Sequence, residues 1–280
     1  MGFLHRIKKQ NKNGWMINGS SADPLKVNLE YWDQKINLGD ALAPVIFNWI
    51  MREKQIPVTA KTVKPYTHLL STGSVLSMGN FDAVVWGSGI LSIKASREVF
   101  EKAPERQLDI RAVRGPLTAS VLTSAGYNVP DIYGDPGILM PLVYPKKEVR
   151  KLHKYCVIPH YTKFESCSVE GRHYVLDIRT SDYAAFIDAL LECEYVISSS
   201  LHGIILAEAY GVPAVLLWEP ELDLFKYYDY YQSTGRYSVI VATSVNDALK
   251  MSPMPLPNLH KMQELLVKAF PVDLFYTHES

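Results

Sequence analysis

Apolar positions along this chain come in two rhythms. Short unbroken apolar runs, closed off by glycine, serine or aspartate, alternate with stretches where apolar residues recur every third or fourth position. The first rhythm reads as strands buried on both faces and the second as helices, so the alternation predicts an α/β fold on parallel sheets. In the first half, strands are expected at 27–31, 68–71, 83–87 and 109–113. A helix is expected over 41–53, with Leu42, Val45, Ile46 and Trp49 on one face, and another over 116–125, between Pro116 and Gly126. Residues 141–154 are charged, proline-containing and weakly periodic, which reads as a linker. A second set follows through 155–159, 174–178, 183–192 and 195–198, a helix at 204–210, then 212–218 and 239–241. A helix after Ser244 and a terminal one at 259–270 complete it. The expectation is two Rossmann-like, doubly wound domains, 1–147 and 148–280, the second carrying the terminal helix. They would face each other across a cleft lined by the carboxyl ends of their strands. The polar turns at 37–40, 87–89, 111–115, 159–161 and 199–203 all fall at such ends.

Composition narrows the partners. At 280 residues, 48% hydrophobic and 21% charged, the chain is that of a soluble globular protein with room for two cores. Lys plus Arg and Asp plus Glu are equal at 29 each, so no global field favours nucleic acid. Three cysteines without metal or disulfide spacing fit free thiols in a reducing compartment, and no apolar run is long enough for a bilayer, so a cytoplasmic protein is expected. The basic start, with Arg6, Lys8, Lys9 and Lys12 beside Phe3 and Leu4, reads either as a solvated terminus or as a peripheral contact with an anionic membrane.

The turn at Ser199, Ser200, Leu201, His202 and Gly203 carries the strongest local signal. A strand ending in hydroxyl residues and opening a helix leaves backbone N–H groups aimed at one spot, which suits an anion, and His202 places an imidazole beside it. The alternative is an ordinary turn with serine caps. Arg111 and Arg114 flank another strand end, either as surface ion pairs or as a fork for carboxylate and phosphate. Asp40, with Asn37 and Gly39, is either a helix cap or a carboxylate able to act on a hydroxyl. His160 ends a strand and is either structural or faces the cleft. Asp135, in Gly134-Asp135-Pro136-Gly137, reads as a structural Asx turn. The stretch from Phe225 to Tyr231 holds five aromatics in seven residues. Tyr230 and Tyr231 would either stack on sugar faces, with Lys226 and Arg236 adding charge, or pack as a helix. No metal signature appears, and GxSxG, Walker A and GxGxxG are missing.

Seven ordered blocks bring a family into view: 37–40 (NLGD), 84–90 (VVWGSGI), 109–122 (DIRAVRGPLTASVL), 133–137 (YGDPG), 158–161 (IPHY), 198–215 (SSSLHGIILAEAYGVPAV) and 225–236 (FKYYDYYQSTGR). Together they resemble the polysaccharide pyruvyltransferases, most of all the ketal-pyruvate transferases of xanthan-type exopolysaccharide assembly. The resemblance implies a glycosyltransferase-B-like pair of domains, with the acceptor on the first and the donor on the second. It implies phosphoenolpyruvate as donor, no further cofactor, and a pyruvate ketal placed across two hydroxyls of a lipid-linked bacterial polysaccharide precursor, with phosphate released. The donor-binding arginine of the family falls on Arg114, with Thr118 in place of a serine, and its Leu-His pair falls on Leu201 and His202. Arg111 is shared with the xanthan-type members. On this reading His202 is the acid or phosphate partner, and Asp40 and His160 compete as base. Arg114, Arg111 and 199–203 hold the donor. Asn37, Gly39, Asp40, Lys226, Tyr230, Tyr231 and Arg236 hold the acceptor. Two other readings remain: a glycosyltransferase of the same fold using a sugar nucleotide, and a non-catalytic saccharide-binding subunit of an export assembly.

Overall fold

Two sheets organise the chain. The structure is a computed structural model that describes residues 23–146, 148–165 and 173–276, with the backbone of two short strands before them. Of the basic start, Phe3, Leu4, Arg6, Lys8 and Lys12 lie outside the described residues, as does Cys167. The first sheet runs in simple sequential order: β1 (Lys9–Gln10), β2 (Met16–Asn18), β3 (Val27–Glu30), β4 (His68–Leu70), β5 (Ala83–Trp86) and β6 (Leu108–Ala112). β1 is antiparallel to its neighbour and every other pairing is parallel. The second is fully parallel: β7 (His153–Ile158), β8 (Cys193–Ser198), β9 (Ala214–Leu217) and β10 (Val241–Ala242), again in sequential order. The doubly wound order expected from the sequence is therefore not the one that forms. Neither sheet reverses direction, so neither has an internal switch point to seat a ligand.

Both sheets are covered on both sides, as parallel sheets require. Alternate strand residues such as Leu29, Leu69, Trp86, Ile158, Val196 and Leu216 point into one core shared by the two sheets. Their neighbours Leu70, Val85 and Ile110 fill a second core, and Val157, Ile197 and Val215 a third. The shared core is closed by α1 (Leu38–Glu53), through Leu42, Ile46, Phe47 and Ile50. Each such side chain contributes about 1.5–3 kcal/mol on burial. The other α-helices described in full are α2 (Ile93–Lys102), α3 (Pro116–Ser124), α4 (Met140–Val143), α5 (Tyr183–Leu191), α6 (Leu201–Ala209), α7 (Phe225–Ser233), α8 (Val245–Ala248) and α9 (His260–Lys268).

Two helix starts differ from expectation, and cap chemistry explains both. The Asn37 side chain accepts from the Gly39 N–H, so α1 begins at Leu38 and Asp40 sits inside its first turn. The Ser200 hydroxyl accepts from the Gly203 N–H, so α6 begins at Leu201 and His202 belongs to the helix, not to a turn before it. Helix α2 was not expected: only Ala95 and Val99 on it are buried, which leaves little periodic signal. Segment 174–178 adds a single bridge, Val175 to Val157. The terminal helix also packs elsewhere than expected. The Trp86 indole N–H donates to the Leu266 carbonyl at 2.9 Å, Phe270 meets Trp86 edge-on, and Thr62 bridges Phe275. The chain's last described stretch thus rests on the first sheet's half. Among the described residues, no helix is long and apolar enough to cross a membrane.

Candidate functional site

A pocket of about 240 Å³ opens where loops from the carboxyl ends of both sheets meet. From the first sheet come Asn37 and Asp40 at the start of α1, Gly73 and Ser74 after β4, and Leu91 after β5. From the second come His160 and Tyr161 after β7, and Ser200, Leu201 and His202 after β8, with Lys226 reaching in from α7. The size suits a small polar metabolite better than a nucleotide sugar, since pockets for drug-sized ligands run from about 300 Å³ upward.

His202 is held from two sides. Its ring lies against Gly39 so closely that a Cβ there would overlap it, so only glycine allows this approach. Its Nε2 is buried without a hydrogen bond and faces the Asp135 carboxylate at 3.6 Å. Asp135 is itself fully buried and accepts from the N–H groups of Gly73 (3.2 Å) and Gly137 (2.9 Å). Gly73 takes φ +92°, a conformation that costs glycine little and that turns its N–H to this carboxylate. Burial alone would raise the Asp135 carboxyl, but the His202 imidazole, the Gly137 N–H and the Arg114 charge together hold it below its ordinary value. The expected Asx turn is present, and the same carboxylate also faces the imidazole. Asp135 is thus a site residue that sequence reasoning set aside: its local turn role concealed a partner 67 positions away, as 202 − 135 gives.

Charge in the pocket is finely divided. Burial, with Asp135 adding, pushes the Asp40 carboxyl up to about 6, against the pull of His202 and Lys226. Burial and then the Arg114 charge bring the Lys226 ammonium down to about 8, with Asp40 and Asp223 acting the other way. Burial, Lys226 and Lys163 lower His160 to about 4, so it is neutral near pH 7. Its Nδ1 is 2.8 Å from the Thr162 hydroxyl. A carboxyl whose folded pKa is raised stabilises the fold less once it ionises, and the loss sets in as pH climbs from 3.8 through about 6. Asp40→Asn is therefore expected to stabilise the protein at pH 7, by up to about 3 kcal/mol, and to change nothing below the ordinary carboxyl value. Denaturant titrations of both proteins at the two pH values check this. Equal stabilities at pH 7 would contradict the buried, raised carboxylate.

The turn before α6 spends some of its polar groups within the protein and leaves others facing the pocket. The Ser199 N–H donates to the Ile158 carbonyl and its hydroxyl accepts from the His160 N–H. The Ser200 N–H donates to the Ser198 hydroxyl. The N–H groups of Leu201 and His202, in the first turn, have no partner among the described residues, and they are the ones an anion would use. Lys226 likewise makes no hydrogen bond or ion pair among the described residues, its Nζ standing 5.0 Å from the Tyr227 ring centre. No three metal-ligating side chains cluster among the described residues.

Five residues expected to contact a ligand lie off the pocket surface. Arg114 is 0% exposed, and its guanidinium is spent on Asp229, the Ser74 hydroxyl and the Ile90 carbonyl. It lies behind the pocket wall, not on its surface. Arg111 is bound between Asp109 and Asp273, which line a different cavity at the opposite ends of the strands. Tyr230 and Tyr231 are buried in the shared core, Tyr230 donating to Glu208 at 2.7 Å. Arg236 grips the same Glu208 with both amino groups at 2.6 Å and lies over the Tyr231 ring. The aromatic block is therefore packing, not a sugar platform. Asn37, Gly39, Asp40, His160, Ser200, Leu201, His202 and Lys226 are brought together around the pocket.

Comparison with known proteins completes the picture of the site. The family profile described as polysaccharide pyruvyl transferase matches residues 61–219, which span the 73–74 loop, Asp135, His160 and the turn into α6. An uncharacterized protein of Acanthamoeba polyphaga mimivirus is 26% identical over 271 residues, covering 88% of this chain and 92% of that one. The succinoglycan biosynthesis protein ExoV of Rhizobium meliloti (strain 1021) is 27% identical over 218 residues, covering 73% of this chain and 64% of ExoV.

Proposed function

The chain belongs to the polysaccharide pyruvyl transferase family, and from that premise we propose that its pocket binds phosphoenolpyruvate and places the pyruvyl group as a ketal across two hydroxyls of a sugar in a polysaccharide precursor. The observation that carries this reading is the meeting, in one small pocket, of a cation, two unpaired helix N–H groups and an acid–base set. Lys226 and the N–H groups of Leu201 and His202 answer the donor's phosphate and carboxylate. His202, steadied by Asp135, delivers a proton to C3, and C2 becomes electrophilic. A sugar hydroxyl adds at C2 and gives its proton to Asp40, the C2–O bond to phosphate breaks, and the neighbouring hydroxyl closes the ketal and passes its proton to the departing phosphate. Between the two expected bases, Asp40 at about 6 is ionised at neutral pH yet still basic, whereas His160 at about 4 is a much weaker base. Arg114 acts here through its charge and through Ser74, not by contact. The placement of the pocket between two sheets supports a glycosyltransferase-B-like reading of the architecture, and a peripheral position beside lipid-linked substrate accords with the basic start.

Incubation with phosphoenolpyruvate and synthetic or lipid-linked glycans tests the proposal: phosphate must appear together with acid-labile pyruvate on the glycan. Sugar transfer from a nucleotide donor, or glycan binding without turnover, would replace it with one of the other two readings. The rate should follow a bell in pH, falling below about 6 as Asp40 protonates and above about 8 as Lys226 loses its charge. Removing the cation with Lys226→Met should abolish the alkaline limb and raise the donor KM at least roughly tenfold, as the loss of one charge-assisted contact implies. An unchanged donor KM would remove Lys226 from the donor site.

A further inference from the structure

The buried positions of Tyr230 and Tyr231 leave the acceptor without the platform the sequence assigned to it. We propose that Trp32 and Tyr161, at the mouth of the pocket, are that platform: an aromatic pair that receives the C–H face of a hexopyranose and presents its hydroxyls to Asp40. The inference rests on the pyruvyl-transfer reading of the pocket and names its acceptor side.

Several observations converge on these two rings. They are the tryptophan and the tyrosine that line this pocket, and they reach it from opposite sheets: Trp32 from the loop between β3 and α1, Tyr161 from the loop after β7. Trp32 is 40% exposed and Leu91, on the same rim, 48%. Large apolar side chains held open to water at a pocket mouth are the features a ligand covers. Among the described residues neither the Trp32 indole N–H nor the Tyr161 hydroxyl makes a hydrogen bond, and the Tyr161 ring leans on His160 at a tilt, 4.5 Å between centres, so each residue brings apolar ring surface together with a hydrogen-bonding group. A pyranose matches this combination, with C–H groups on its faces and hydroxyls around its edge. Lys35 lies over the Tyr161 ring, its Nζ 5.8 Å from the ring centre.

The order of the pocket supplies the direction. Its charged groups, Lys226, His202 and Asp40, are buried or nearly so, whereas Trp32 is open. A small anionic donor is drawn inward by the charges. The much larger glycan stays outside and admits one sugar edge past the aromatic rim. Trp32 is also only eight positions from Asp40, so one half of the platform and the base are carried by one loop and the helix it opens. Stacking there fixes which hydroxyls arrive at the carboxylate.

Saturation-transfer NMR with a set of hexopyranose oligosaccharides, recorded without phosphoenolpyruvate, tests the platform separately from the chemistry. Wild-type protein is expected to bind at least one oligosaccharide. Trp32→Ala and Tyr161→Ala should each weaken that binding roughly tenfold or more and raise the acceptor KM in parallel, with the donor KM unchanged. Trp32→Phe should keep most of the binding, because a flat ring remains. Wild-type protein that binds none of the sugars, or alanine variants that bind as wild type does, would overturn the assignment. If a sugar binds in a Trp32-dependent way but is never pyruvylated, the platform stands and the transfer reading fails. If pyruvylation proceeds indifferently to Trp32 and Tyr161, the transfer reading stands and the platform falls.

Discussion

His202→Asn is expected to fold and to lose turnover by roughly 10²–10⁴-fold, the range for a missing proton-transfer group. The fold should tolerate the change because the Asp135 carboxylate keeps both of its backbone donors, Gly73 and Gly137, when the imidazole leaves. A smaller side chain also fits beside Gly39, where the ring is now in contact. Thermal midpoint and kcat measured on one preparation separate a chemical role from a packing one. A stable, fully active protein would end the mechanism proposed for this pocket. Asp135 adds a sharper test, because it acts through the imidazole. Asp135→Asn should itself slow turnover, and the His202→Asn/Asp135→Asn double variant should be scarcely slower than His202→Asn alone. Additive losses would mean that Asp135 contributes to the rate independently of His202.

How far the sequence reached follows the range of each interaction. The turn into α6 and the start of α1 are readable because caps, glycines and apolar runs are local signals, and the candidate site residues on them, His202 and Asp40, are read with them. The helix starts were misplaced by three residues, since Asn37 and Ser200 read as turn members until their side chains are seen to cap. The aromatic block misled for a different reason. Five aromatics in seven residues say that surface will be buried, but not whether a ligand or the protein buries it. In α7 the answer is the protein, with Glu208 and Arg236 satisfying the polar ends. Trp32 carries no sequence signal, because a lone tryptophan in a loop makes no pattern; only its exposure beside the pocket distinguishes it. The sequential strand order also left no trace, because a βα repeat looks the same whichever way it winds.

Arg114 shows the same limit most clearly, and its replacement has the second large expected effect. Its anion is Asp229, 115 positions away, and no spacing rule could have paired them. Asp229 in turn accepts from the Thr118 N–H and hydroxyl, so the arginine pins α7 to the start of α3. Truncating Arg114 to Ala leaves a buried carboxylate without its cation, which typically costs about 3–5 kcal/mol, and the thermal midpoint should fall accordingly. Adding Asp229→Asn to that variant should recover part of the loss, because the stranded charge is then gone. Arg114→Gln isolates the electrostatic role. It can still hydrogen-bond Asp229 but no longer places a positive charge beside Lys226, so the ammonium should become easier to protonate and the alkaline limb of the rate profile should move upward from about 8. The reading of Arg114 as a direct ligand predicts otherwise: a wild-type midpoint for Arg114→Ala and a loss confined to donor affinity. Melting curves together with phosphoenolpyruvate titrations decide between them, and an Arg114→Ala protein that melts like wild type but no longer binds the donor would return the guanidinium to the pocket surface.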